Sequence, residues 1–135
     1  MISNNKIISL VDKLIYKFEL YNYKPDLIIS IGIDNVYTAL KIRDKIDKNI
    51  NVENINFSLT DANFANINKT FLENKKVLFV TTKPKIDIIN RTINYIRNEC
   101  NLTNNLALCT LINNISYDFQ LDDRFEFYYS TKKIC

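Results

Sequence analysis

One stretch constrains the fold more than any other: Lys75 to Arg97, KKVLFVTTKPKIDIINRTINYIR. The apolar residues Val77 to Val80 lead into two threonines, then Lys83, Pro84 and Lys85. A short continuous apolar run suits a parallel strand covered on both faces. From Asp87 the spacing changes, and Ile88, Ile89, Ile93 and Ile96 put one apolar stripe on one side of a helix. The predicted order is strand, polar loop, amphipathic helix. In parallel sheets ligands bind at the carboxyl ends of strands, beside helix N-termini. Function is therefore expected between Thr81 and Asp87.

The 135 residues suit a single domain spanning 1–135, which buries roughly two-thirds of its unfolded surface. The net charge of +3 is spread along the chain, which argues against a nucleic-acid partner. No apolar run is long enough for a transmembrane helix, so no membrane partner is expected. The N-terminus lacks the apolar core and small-residue cleavage site of a signal peptide. The three cysteines, Cys100, Cys109 and Cys135, form no CxxC. Reduced thiols and a cytoplasmic location are the expectation. Histidine is absent, which removes His-based acid–base or nucleophilic catalysis and, with no paired cysteines, argues against a metal site.

Glycine is nearly missing, with Gly32 alone. Asn tolerates left-handed backbone better than other residues with a side chain. Asn22, Asn49, Asn98 and Asn104 are therefore read as turn residues at element ends.

Along the chain, Ser3 or Asn4 is placed to cap a first helix. Its stripe is Ile7, Ile8, Val11, Leu14, Ile15 and Phe18, and it ends near Tyr21 to Tyr23, before Pro25. Asp26 to Ile31 reads as a buried strand. The turn Gly32-Ile33-Asp34-Asn35 leads to a helix over Val36 to Ile46, with Val36, Ala39, Leu40, Arg43 and Ile46 along one side. Val52 to Leu59 alternates like a second strand. Thr60 to Asn74 is the least regular segment, either a loop or a short helix around Ala65 to Leu72. Leu106 to Ile112 is another apolar strand. Asn113 and Asn114 open a loop that runs past Asp122 and Asp123. Phe125 to Tyr129 is a last strand, placed at a sheet edge by its polar neighbours. This alternation predicts an α/β fold: a doubly wound, mainly parallel sheet with helices on both faces.

Two stretches resemble the type I phosphoribosyltransferase family, particularly its xanthine–guanine and hypoxanthine members. Lys24 to Ile46, KPDLIISIGIDNVYTALKIRDKI, is similar to the family's Pro-Asp-Leu-Ile-Val-Gly-Ile-Ser-Arg-Gly-Gly strand and turn, with the helix that follows. Lys75 to Ile93 resembles its phosphoribosyl-pyrophosphate strand, loop and helix. Leu106 to Ser130 fits the last core strand, a loop and an aspartate- and tyrosine-rich strand. The resemblance covers nearly the whole chain in pattern.

The signature residues are altered. The resemblance implies two adjacent carboxylates ending the central strand and holding ribose hydroxyls, and here those positions are Thr81 and Thr82. It implies a loop that binds a 5′-phosphate through backbone N–H groups. The segment Lys83 to Asn90 contains no glycine, with Lys83, Lys85, Asp87 and Thr92 as the phosphate- and ribose-binding candidates. The diphosphate loop's Arg-Gly-Gly corresponds to Ile33, Asp34 and Asn35, an anion where the family has a cation. Phosphoribosyl transfer passes through a cationic sugar. One carboxylate near it is worth roughly 4 kcal/mol at an effective dielectric near 20, or about a thousandfold in rate.

Each residue also has a purely structural reading. Thr81 and Thr82 end a strand, Asp87 caps a helix, and Lys83 and Lys85 are solvated charges. Asp34 and Asn35 form a turn into a helix, and Asp122 and Asp123 a solvated turn. The leading expectation is a degenerate, non-catalytic phosphoribosyltransferase-fold protein, either a binder of a nucleotide or other phosphorylated small molecule or an interaction subunit. The alternatives are an active purine transferase, which alone would require magnesium as a cofactor, and a ligand-free structural homo-oligomer.

Overall fold

The computed structural model describes residues 3–55, 74–82, 87–88, 91–92, 106–113 and 127–133. Its elements are α1 (Asn4–Leu20), β1 (Leu27–Ile31), a 3-10 turn (Ile33–Asn35), α2 (Val36–Ile46), β2 (Asn51–Ile55), β3 (Val77–Thr81), β4 (Leu106–Asn113) and β5 (Phe127–Lys133). Residues 87–88 and 91–92 are also helical. The five strands form one parallel sheet in the order β2-β1-β3-β4-β5. Leu27 pairs with Val77, and Val77 with Leu106, so the three apolar strands expected side by side are neighbours.

Ser3 starts α1: the Lys6 backbone N–H donates to its Oγ at 3.2 Å, meeting a donor the first turn leaves unpaired. Ile7, Leu10, Val11, Leu14 and Phe18 are buried along one stripe. Ile8 was expected in that stripe and instead faces outward; one residue is a 100° step around a helix, enough to leave the buried face. Beyond Leu20 the chain turns back at Asn22, which has φ of 52°, and the Tyr23 N–H donates to the Phe18 carbonyl at 2.9 Å. Asn22 thus has the left-handed turn conformation expected of it. Asn74, not singled out in the sequence, has it too, at φ 62°. Asn98 and Asn104 lie outside the described residues, as do Cys100, Cys135, Asp122, Asp123 and residues 60–73.

Side chains alternate across the sheet. Ile28, Leu78, Val80, Ala107, Cys109 and Leu111 face α1 and α2 in one core. Leu27, Ile29, Val77, Phe79, Leu106 and Leu108 point the other way and are equally buried, so both faces of the sheet are covered. Burial pushes the Cys109 thiol far above its usual range, which makes it an inert core residue.

Three boundaries differ from expectation. The second strand is Asn51–Ile55, and residues 56–59 lie outside the described ones. β4 extends to Asn113, which pairs with Lys133 instead of opening a loop. The last strand is shifted toward the C-terminus, to Phe127–Lys133, and takes in Lys132 and Lys133. An edge strand tolerates such polar residues because part of it meets water. β5 holds that edge position. Among the described residues no helix is long and apolar enough to cross a membrane.

Candidate functional site

In the strand order β2-β1-β3-β4-β5, the chain leaves β1 toward one side and returns to β3 on the other. Such a switch point opens a crevice at the carboxyl ends of the two strands, where ligands of doubly wound sheets bind. Two loops lie there: Gly32 to Asn35 after β1, and Thr82 after β3.

The β1 turn is built on Gly32, whose φ of 94° is strained for any side chain. A Cβ on Gly32 would also lie 2.7 Å from Asp34 Oδ1, so the Asp34 carboxylate folds back over the Gly32 α-carbon. The turn's own groups are well used. The Gly32 N–H donates to the Ile55 carbonyl at 2.7 Å, and the Asn35 N–H to the Gly32 carbonyl at 3.1 Å. Asn54 adds a support from β2. With its amide nitrogen toward the oxygens around it, it donates to the Gly32 carbonyl at 2.9 Å and to Ser30 Oγ at 2.6 Å. Ser30 is fully buried, and its register partner across the strands is Asn54.

Asn35 spans the crevice. Its Nδ2 donates to the Ile31 carbonyl, and its Oδ1 accepts from the Thr82 backbone N–H at 2.8 Å. The residue is only 6% exposed. A second tie lies beside it: Thr38 of α2, also buried, shares a hydrogen bond with the Thr82 hydroxyl at 3.0 Å. This bond accompanies a departure in α2, whose buried residues are Thr38, Ala39 and Ile42; of the expected line Ala39 alone is buried, and Val36, Leu40, Arg43 and Ile46 are half-buried. A threonine hides a core-facing position from a reading based on apolar spacing.

The other candidates are placed as follows. Thr81 is the last residue of β3, buried, with Thr110 of β4 as its register partner. By strand alternation it faces away from Thr82, so the two threonines point to opposite faces. Ile33 and Asp34 are exposed at the turn. Asp87 is exposed and already helical. Thr92 is fully buried in the same helical stretch, and its hydroxyl donates to the Ile88 carbonyl at 2.9 Å. That bond satisfies the hydroxyl inside its own helix. Lys83 and Lys85 lie outside the described residues. The structure thus joins Asn35 and Thr82, which the sequence places in separate loops, and adds Thr38, Ser30 and Asn54. The available signals were faint: a lone serine within the apolar run LIISI and an asparagine in the alternating strand beside it.

No protein-family model matches the chain, and no curated protein does. Solved structures do. A hypothetical protein from Neisseria gonorrhoeae with bound ppGpp superposes with a TM-score of 0.75 at 14% identity, covering 98% of this chain and 81% of that one. The purine phosphoribosyltransferase of Pyrococcus horikoshii Ot3 gives 0.67 at 13% identity, covering 98% and 85%. The Helicobacter pylori xanthine-guanine-hypoxanthine phosphoribosyltransferase gives 0.69 at 11% identity, covering 95% and 83%. The fold is that of the type I phosphoribosyltransferases, as the sequence resemblance implies.

Proposed function

We propose that this chain, built on the phosphoribosyltransferase fold, is a non-catalytic protein that binds a phosphorylated nucleotide at the carboxyl edge of its sheet. The observation that carries the non-catalytic part is the end of β3. By the sequence resemblance, Thr81 and Thr82 take the positions of the carboxylates that would steady a cationic sugar, and the Thr82 hydroxyl is bonded to Thr38. A neutral hydroxyl can still bond a ribose hydroxyl, but it supplies no charge to the transition state. Magnesium has no part in this reading, since only an active transferase would require it.

The binding part is supported by the position of the edge at the switch point and by Lys83 and Lys85, which follow β3 in the sequence. The bound ppGpp of the Neisseria neighbour is a precedent on this fold for a phosphorylated nucleotide. A second reading, a ligand-free structural subunit, is favoured by one observation: the first backbone N–H beyond β3 is already taken by Asn35.

Two measurements decide. Hypoxanthine, guanine, xanthine, adenine and orotate, each with phosphoribosyl pyrophosphate and magnesium, are expected to give no product. Turnover on the order of 1 per second, lost in Thr81→Ala or Thr82→Ala, would overturn the non-catalytic reading. In a thermal-shift titration, a nucleotide at about a hundred times its dissociation constant stabilises the fold by roughly 2.7 kcal/mol. That shift is expected in the wild type and reduced in Lys83→Ala/Lys85→Ala. No shift up to millimolar nucleotide, or an equal shift in the variant, favours the ligand-free reading.

A further inference from the structure

We infer that Asn35 is an internal occupant of the crevice: its amide latches the β1 turn to the end of β3 and takes the backbone donor that a ligand oxygen would otherwise reach. The inference deepens the nucleotide-binding reading, and one arm of its test is independent of that reading.

The position of Asn35 argues for it first. Asn35 is the N-cap residue of α2, where an asparagine ordinarily accepts from its own helix. Here the side chain makes no such bond. It reaches across to another strand instead, and both ends of its amide are used, one on Ile31 and one on Thr82. The arrangement also fixes which end is which, since a carbonyl demands the NH2 and an N–H demands the oxygen. Burial makes these bonds hard to exchange for water.

The second argument is what the amide oxygen replaces. Thr82 N–H is the first backbone donor after β3, at the edge where this topology receives ligands. A phosphate oxygen bonding there would have to displace Asn35 Oδ1. Two neighbours reinforce the closure. Thr38 holds the Thr82 side chain, and the Asp34 carboxylate lies over Gly32, placing an anion beside the same turn. The resting edge is therefore self-occupied, by a neutral acceptor on Thr82 and a tethered carboxylate over the glycine.

The test is Asn35→Gly, a residue compatible with the φ of −104° at this position. Amide hydrogen exchange reads the latch without any ligand. In the wild type, Thr82 N–H should be protected; in Asn35→Gly it should exchange about tenfold faster or more, the scale of one lost hydrogen bond. Calorimetric titration with inorganic pyrophosphate reads the consequence: the variant should bind about tenfold more tightly than the wild type. If Asn35→Gly does not fold, Thr38→Val takes its place and should raise Thr82 exchange by a smaller factor. Unprotected Thr82 in the wild type, or exchange unchanged in the variant, overturns the latch. So does a variant whose amide opens while pyrophosphate binds no better than to a wild type that binds it. If neither protein binds pyrophosphate or any nucleoside diphosphate, the nucleotide reading falls, and Thr82 exchange alone decides the latch.

Discussion

The two ends of the β1–β3 pair are tied in the same way by different chemistry. At the amino end, the Asp26 carboxylate accepts from the Lys76 backbone N–H at 2.9 Å, while the Asp26 N–H donates to the Lys76 carbonyl at 2.8 Å. At the carboxyl end, Asn35 accepts from the Thr82 N–H and donates to the Ile31 carbonyl. Each tie uses a side-chain oxygen on a backbone donor across the strand pair. The difference is water. Asp26 and Lys76 are exposed, and a charged acceptor costs little there. Asn35 is buried, where an unpaired ionised carboxylate would carry a desolvation penalty of several kcal/mol. A neutral amide satisfies both a donor and an acceptor without that penalty. The exposed end is thus a seam that can be lost cheaply, and the buried end one that cannot.

The comparison breaks most directly at Asn35. Asn35→Ala removes two hydrogen bonds and strands the Ile31 carbonyl and the Thr82 N–H in a buried place. At about 1–3 kcal/mol per orphaned group, a loss of roughly 2–4 kcal/mol in urea unfolding is expected. Thr38→Val should cost less, about 1 kcal/mol. It keeps the shape of the side chain, and the Thr82 hydroxyl it abandons is only half-buried and can turn to water. Asp26→Ala should cost about 0.5–1 kcal/mol, because solvent can replace the exposed acceptor. Asp26→Ala proving as damaging as Asn35→Ala would mean that burial does not set the order.

The same contrast explains what could be read from the sequence. The body of the sheet was legible because burial writes itself in apolar runs: LIISI, VLFV and LALCTL are adjacent parallel strands. α2 was legible to its ends, Val36 and Ile46, because Gly32 and Asn35 punctuate it. The strand edges were less so, since Asn113, Lys132 and Lys133 carry no apolar signal although they pair in β4 and β5. The site was only half legible. The resemblance put Asp34, Asn35, Thr81 and Thr82 at strand ends, which is a matter of position. It did not show that Asn35 reaches Thr82, because the two are 47 residues apart and a polar side chain that bonds inward looks like one that bonds water. Ser30, Thr38 and Asn54 were missed for the same reason.

The smallest effect expected lies at a third polar joint, exposed like that of Asp26 but charge-assisted. At the end of α2, Asp47 accepts from the Asn49 backbone N–H at 2.9 Å, and its other oxygen lies 3.2 Å from Lys24 Nζ. The Asn49 bond, with help from Lys24, holds the Asp47 carboxyl below its usual range. A depressed carboxyl favours folding in its ionised form. Its contribution is complete above the unfolded value of about 4 and is lost as pH falls through the lower folded value. Asp47→Ala should therefore be slightly less stable than the wild type at neutral pH, and the two should converge in acid. Screening should remove the Lys24 share at high salt and leave the Asn49 bond. Urea midpoints of both proteins from neutral pH down to roughly pH 3, at low and high salt, check this. A gap that widens in acid would show that Asp47 acts by something other than its charge, and the exposed joints would then need another account.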